Sequence, residues 1–222
     1  MIWLILTILL WSLTPAISTI ALSELDPLQL MFYRNIVGTL TLFSILFFRG
    51  KFGKTWIGRK EIKKLLLIGA IGVFLHYIFL FSSFKYAPAS QANMINYLWP
   101  IFLVLLSVPL LNQKISKINF VAIALSFFGA AIVFSGGLLS GKDIFGYSLA
   151  LIAALFWALF SVLGKTVKTD GITAVFIYFI SGTVLTVPAV LIFSEIVVPV
   201  KLTTIISILI LGMLCNSLSF VC

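Results

Sequence analysis

Hydrophobic residues run in eight long stretches, at 2–22, 28–48, 65–84, 88–111, 118–138, 145–164, 172–193 and 203–222. Within each stretch the apolar positions go all the way round a helix instead of alternating, which is the pattern of a membrane helix and not of a barrel strand. At about 1.5 Å of rise per residue, roughly 20 residues cross a hydrocarbon layer about 30 Å thick. The pattern predicts an all-α integral membrane protein with eight transmembrane helices. The first stretch has no basic leader and is longer than the apolar part of a secretory signal, so it is expected to stay in place as a helix. Between the first two stretches, Asp26 is placed to cap the second helix, with Pro27 at its first position and Gln29 where a capping-box partner belongs.

Composition agrees with the pattern. Apolar residues make up 62% of the 222 positions and charged residues 9%, with a mean hydropathy of +1.23. A soluble domain has about 45–50% and about 25%, so that class is excluded. The longest connection, 49–64, has sixteen residues, which leaves no room for a soluble domain. Cys215 and Cys222 both fall in the last stretch, where they form neither a disulfide framework nor a metal-ligand spacing, and no cofactor is expected.

The formal charge of +9 is distributed unevenly. Arg49, Lys51, Lys54, Arg59, Lys60, Lys63, Lys64, Lys114, Lys117, Lys165 and Lys168 share one side of the predicted topology. The other side holds Lys85, Lys142 and Lys201 against Glu24, Asp26, Asp143 and Glu195. The positive-inside rule places the N-terminus and the basic connection in the cytoplasm of a multi-pass cell-membrane protein. The basic run is read as a topology signal facing anionic lipid, so the partner is the bilayer and not a nucleic acid.

Two short matches suggest an internal repeat. Leu10-Trp11-Ser12-Leu13 resembles Phe156-Trp157-Ala158-Leu159, 146 residues on, and Leu67-Ile68-Gly69-Ala70-Ile71 resembles Ile210-Leu211-Gly212-Met213-Leu214 at an offset of 143. A repeat of five helices enters the membrane from the opposite side the second time, which is the inverted topology of many secondary transporters. The expected architecture is a ten-helix (5+5) inverted repeat. Residues 1–138 form the first copy and 145–222 an incomplete second one of three helices, truncated at its C-terminus.

Counted by depth, several polar and aromatic side chains reach the middle of the membrane: Trp11 and Thr14, His76 and Tyr77, Asn93, Asn96, Tyr97 and Trp99, and Trp157 and Ser161. Asn93, Asn96, Tyr97 and Pro100 follow i, i+3, i+4, i+7 spacing and are expected on one helix face. Pro100 and Pro15 cannot donate to the carbonyls of Asn96 and Trp11, so helix breaks are expected at both. Such breaks are tolerated where protein or water meets the exposed groups. Amides here are commonly interhelical glue, but tryptophan and tyrosine usually gather at membrane interfaces, and their depth points to a binding role for Trp11, His76, Tyr77, Asn93, Asn96, Tyr97, Trp99 and Trp157. Trp3, Trp56 and Tyr86 are read as interfacial anchors.

His76, the sole histidine, is open to two readings, proton coupling or a neutral hydrogen bond between helices. Arg34, about 9 Å inside its helix, either snorkels to headgroups or partners a substrate carboxylate. The absence of Asp and Glu from every stretch argues against a carboxylate-driven pump. Aromatic faces with amides suit a neutral or zwitterionic small molecule. No enzyme motif accompanies His76, so catalysis is not expected.

The run Ser83-Phe84-Lys85-Tyr86-Ala87-Pro88-Ala89-Ser90-Gln91-Ala92, the central Pro100, the short basic turn and Phe128-Gly129-Ala130-Ala131-Ile132-Val133 resemble the EamA-type repeat of the drug/metabolite transporter superfamily. Within it, Asn96-Tyr97-Leu98-Trp99-Pro100 is similar to the signature of the YddG-type aromatic amino acid exporters. The resemblance implies export of aromatic or other neutral amino acids, by alternating access, through a cavity lined with aromatic residues such as Tyr97, Trp99 and Trp157. Asn112-Gln113 departs from the acidic residue that many members carry there, and the absent ninth and tenth helices leave a non-transporting membrane protein as the alternative.

Overall fold

The computed structural model describes residues 2–50, 57–113, 118, 121, 123, 125, 128, 129 and 141–218. The elements are α1 (Ile2–Ala21), α2 (Pro27–Phe48), α3 (Arg59–Gly69), a π-helical stretch π1 (Ala70–Leu75), α4 (His76–Tyr86), α5 (Ala89–Asn96), α6 (Trp99–Leu111), α7 (Gly141–Gly164), α8 (Gly171–Phe193), α9 (Leu202–Leu209) and a second π-helical stretch π2 (Ile210–Leu218). Among the described residues all regular structure is helical.

Five helical runs are long and apolar enough to cross a membrane: Pro27–Phe48, Arg59–Tyr86, Ala89–Leu111, Asp143–Gly164 and Gly171–Phe193. Thr7–Ala21 and Leu202–Ser217 are shorter apolar helices. The described residues thus account for five full-length crossings and not the eight anticipated. Most of the predicted stretch 118–138 lies outside them, with residues 130–133 of the family motif, Lys51, Lys54, Lys114, Lys117, Trp56 and Cys222.

Helix ends follow local chemistry. Asp26 Oδ1 accepts from the Leu28 and Gln29 amides at 2.8 and 2.9 Å, and Gln29 Oε1 accepts from the Asp26 N–H at 2.9 Å, completing the expected capping box. α4 stops where Ala87 turns extended before Pro88, the conformation a residue before proline prefers. Pro100 sits in the first turn of α6, where a missing N–H costs least, so the run from Ala89 divides at Tyr97 and Leu98. Pro15 behaves differently. α1 is continuous through it, so the expected break there is a lost hydrogen bond to the Trp11 carbonyl and not an interruption.

The chain forms two compact units whose bounds differ from those of the two copies expected from the sequence: Met1–Phe74 with Val167–Cys222, and Leu75–Thr166. In the first, α2 packs on α8, π2 and α9, α3 on α8, and α1 on α9 and π2. Small residues let the backbones approach, as membrane helix packing requires. A Cβ on Gly69 would lie 2.6 Å from the Tyr178 backbone, and one on Gly212 3.0 Å from the Arg34 carbonyl oxygen. Gly38 likewise abuts Phe179, and Gly182 faces Asn35. These contacts are reciprocal. Thr39 and Thr183 hydrogen-bond each other at 2.9 Å across a separation of 144 residues, and the same shift turns the Gly38–Phe179 pair into Gly182–Asn35.

In the second unit α7 packs on α4, α5 and α6. Its contact stripe is Gly146, Ala150, Ala154 and Ala158, four residues apart, with the three alanines fully buried. At Gly146 a Cβ would come within 2.8 Å of the Ala87 backbone nitrogen.

Candidate functional site

The second unit gathers most of the residues singled out in the sequence. On α4, the His76 ring meets Tyr77 edge-on and, across to α7, lies tilted against Trp157, with centroids 4.5 and 4.8 Å away. His76 Nδ1 lies 3.0 Å from the Ala153 carbonyl oxygen. A carbonyl only accepts, so Nδ1 carries a proton and the imidazole bridges two helices. All three rings are buried. Ser161 returns its hydroxyl to the Trp157 carbonyl at 2.8 Å. Tyr147 donates to Gln91 Oε1 between α7 and α5, a link the sequence reading missed.

The α5–α6 break sits in this unit. Asn96 is 9% exposed, whereas Tyr97, one residue on, is 46% exposed. Asn93 and Trp99 are half-buried and Pro100 is exposed. The four positions expected on one face therefore lie in different surroundings, because the helix stops at Asn96 and restarts at Trp99, and i+4 spacing does not carry across the interruption. Asn96 Oδ1 is buried without a hydrogen-bond donor, the one such side-chain atom in this unit among the described residues. Pro100 also brings no N–H to the Asn96 carbonyl. Two oxygens of one residue thus lack their usual donors at a helix break, an arrangement suited to a donor carried by a small molecule.

Trp11 and Arg34 belong to the first unit. The Trp11 indole N–H donates to the Cys215 carbonyl at 3.2 Å, and the Cys215 thiol to the Leu10 carbonyl at 3.2 Å. Arg34 is 0% exposed, which overturns the snorkelling alternative. Its guanidinium donates to Asn35 Oδ1 at 2.8 Å and to Asn216 Oδ1 at 3.5 Å, and Asn35 Nδ2 donates to Thr186 at 3.2 Å. Ser217 joins the same region, donating to the Gly212 and Gly38 carbonyls at 2.8 and 3.1 Å. Asn35, Thr186, Asn216 and Ser217 were not singled out in the sequence. The signal for them was there: an adjacent Arg-Asn pair and an Asn-Ser pair inside stretches otherwise almost wholly apolar.

The acidic residues of the connections serve as straps. Glu24 Oε1 accepts from the Val200 and Lys201 amides at 2.8 and 3.3 Å, and Glu61 Oε1 from the Lys168 amide at 2.9 Å. Each strap joins two connections that the charge pattern had placed on one side. The Thr204 hydroxyl facing Glu24, and then the Val200 amide, hold its carboxyl below the usual value of 4.5.

Comparison with known proteins places this architecture. Residues 1–135 match the EamA-like transporter family. An uncharacterized transporter of Archaeoglobus fulgidus is 30% identical over 98% of this chain and 76% of its own length. The aromatic amino acid exporter YddG of Ancylobacter novellus is 31% identical over 44% of this chain and 35% of its own. This chain spans little more than half the length of several other curated transporters that it matches. A solved crystal structure superposes with a TM-score of 0.75 at 23% identity, over 96% of this chain and 75% of that one, which shows the fold. The protein has several apolar helices of membrane-crossing length and the sequence of a multi-pass membrane transporter, and it belongs to the EamA-like transporter family of the drug/metabolite transporter superfamily.

Proposed function

We propose that the protein is a secondary transporter that exports small amphipathic metabolites, aromatic or other neutral amino acids above all, by alternating access. The observation that carries this reading is the buried Asn96 Oδ1 without a donor, at a break that also deprives the Asn96 carbonyl of one. An amino acid's ammonium supplies donors to both oxygens, and Tyr97, Trp99 and Asn93 beside the break offer ring faces and a second amide. His76, Tyr77 and Trp157 form a buried ring cluster on α4 and α7 of the same unit. The likeness to an aromatic amino acid exporter favours the same substrate class. Arg34 donates to Asn35 and Asn216, which uses two of the five N–H groups of a guanidinium, and it stays a candidate partner for a substrate carboxylate.

The architecture belonging to this function is a 5+5 inverted repeat with copies at 1–138 and 145–222. The reciprocal Gly38–Phe179 and Gly182–Asn35 contacts and the Thr39–Thr183 pair support it, as does a π-helical stretch in each copy, one beginning just after Gly69 and the other containing the matched Gly212. The positive-inside charge pattern supports a cytoplasmic N-terminus in the cell membrane. A cysteine at Lys201 is then labelled by an impermeant reagent in intact cells, and one at Lys63 only after permeabilisation.

Efflux of labelled phenylalanine, tryptophan and threonine from cells expressing the gene tests the function. The expected result is efflux above vector-only cells, abolished in the Trp99→Ala, Trp157→Ala double variant at equal membrane abundance. Undiminished efflux from that variant would remove both residues from the site.

A further inference from the structure

Along the C-terminal half of α2, an open groove of about 680 Å³ runs between that helix and the α9–π2 segment. Val37, Leu40, Ile45, Leu209 and Met213 give it an apolar wall. Its two hydroxyls are turned inward on their own helix: Thr41 donates to the Val37 carbonyl at 2.8 Å and Ser44 to the Leu40 carbonyl at 2.9 Å. The lining therefore asks for hydrocarbon and offers no free donor along its length. At the end of the groove stands Arg49, exposed at the C-cap of α2. Among the described residues no carboxylate pairs with its guanidinium. The chain from 50 to 60 contains no acid, and Glu61 is taken by the Lys168 amide.

The dimensions match one leaflet. From Val37 to Arg49 the helix rises about 18 Å at 1.5 Å per residue, against about 15 Å for half the hydrocarbon core. The groove thus extends from near mid-membrane to headgroup depth, apolar where acyl chains lie and cationic where phosphates lie. We infer that it is a binding site for one anionic glycerophospholipid, with an acyl chain along α2 and the headgroup phosphate on Arg49. A guanidinium is suited to this, since its fork of N–H donors matches two phosphate oxygens. With the orientation proposed above, that leaflet is the cytoplasmic one, whereas the lipid chemistry rests on neither that orientation nor the transport reading. Its test reads lipid retention alone.

The full chain, delipidated in detergent, is offered equal amounts of phosphatidylglycerol and phosphatidylcholine with identical acyl chains, and the lipids retained are counted by native mass spectrometry. One phosphatidylglycerol per chain is expected in preference to phosphatidylcholine. Arg49→Gln lowers that preference about fivefold, the worth of one basic residue near an anionic headgroup. Arg49→Lys keeps most of it, and Lys60→Gln, elsewhere in the basic connection, leaves it unchanged. Met213→Trp, which fills the groove, lowers retention of both lipids. Equal retention of the two lipids by the parent chain overturns the inference, as does an Arg49→Gln variant with undiminished preference. A Lys60→Gln loss equal to that of Arg49→Gln shows diffuse charge attraction instead. Efficient disulfide formation between copies carrying Leu40→Cys places a second chain in the groove, and also overturns it.

Discussion

The two units handle polar groups inside apolar helices in different ways. In the first, Arg34, Asn35, Thr186 and Asn216 are hydrogen-bonded across α2, α8 and π2, and Ser217 reaches two glycine carbonyls. In the second, the buried groups of α4 and α7 are mostly aromatic, and the amide oxygen of Asn96 is buried with no donor. A buried polar group that is paired holds helices in register, while one left without a partner costs about 1–3 kcal/mol and persists when something else uses it. The first unit also holds such an atom, Ser18 Oγ, so the contrast rests on the Arg34 network, which is bonded across three elements and serves the fold, whereas the Asn96 break is the one proposed above to serve a guest.

The comparison is broken most severely at Arg34. Arg34→Leu strands the oxygens of Asn35 and Asn216 and is expected to destabilise the protein by about 3 kcal/mol or more, seen as a lowered unfolding midpoint in detergent. Next come the close approaches. Gly69→Ala sets a Cβ 2.6 Å from the Tyr178 backbone and Gly146→Ala one 2.8 Å from the Ala87 nitrogen, and each should cost about 1–3 kcal/mol through overpacking. Gly164→Ala, with nothing within 4 Å, stays within about 0.5 kcal/mol of the parent. His76→Leu, losing the bond to Ala153, is expected to cost about 1 kcal/mol, and His76→Asn, which keeps a donor there, less.

The smallest effect is that of pH on the Glu24 strap. Its carboxyl is held below 4.5 in the folded chain. The stabilisation is therefore complete above about pH 4.5 and fades as pH falls through the lowered value. Hydrogen exchange at the Val200 amide should accelerate, relative to its intrinsic rate, only in that acid range. Glu24→Gln should remove the pH dependence.

Helix positions and ends were legible because they depend on neighbours in sequence: the Asp26–Gln29 box and the division of the Ala89 run at Pro100 both appeared as read. What was not legible depends on partners far away. Arg34 donates to its neighbour Asn35 and to Asn216, 182 residues along the chain; the distant partner cannot be read from its own helix, and snorkelling was an open alternative. Counting depth helix by helix also passed over Asn35 and Asn216, which matter through pairing and not through depth. The face shared by Asn93, Asn96, Tyr97 and Pro100 failed for a local reason, since the proline that made the site notable also ended the helix whose periodicity defined that face.

The division of roles is tested most directly by Asn96→Leu, measured as counterflow of labelled tryptophan into proteoliposomes with the unfolding midpoint recorded on the same preparation. Removing an amide that nothing in the fold satisfies should leave the midpoint unchanged or raised while counterflow drops to that of empty liposomes. Parent-level counterflow with a lowered midpoint would make Asn96 a structural residue and contradict the account.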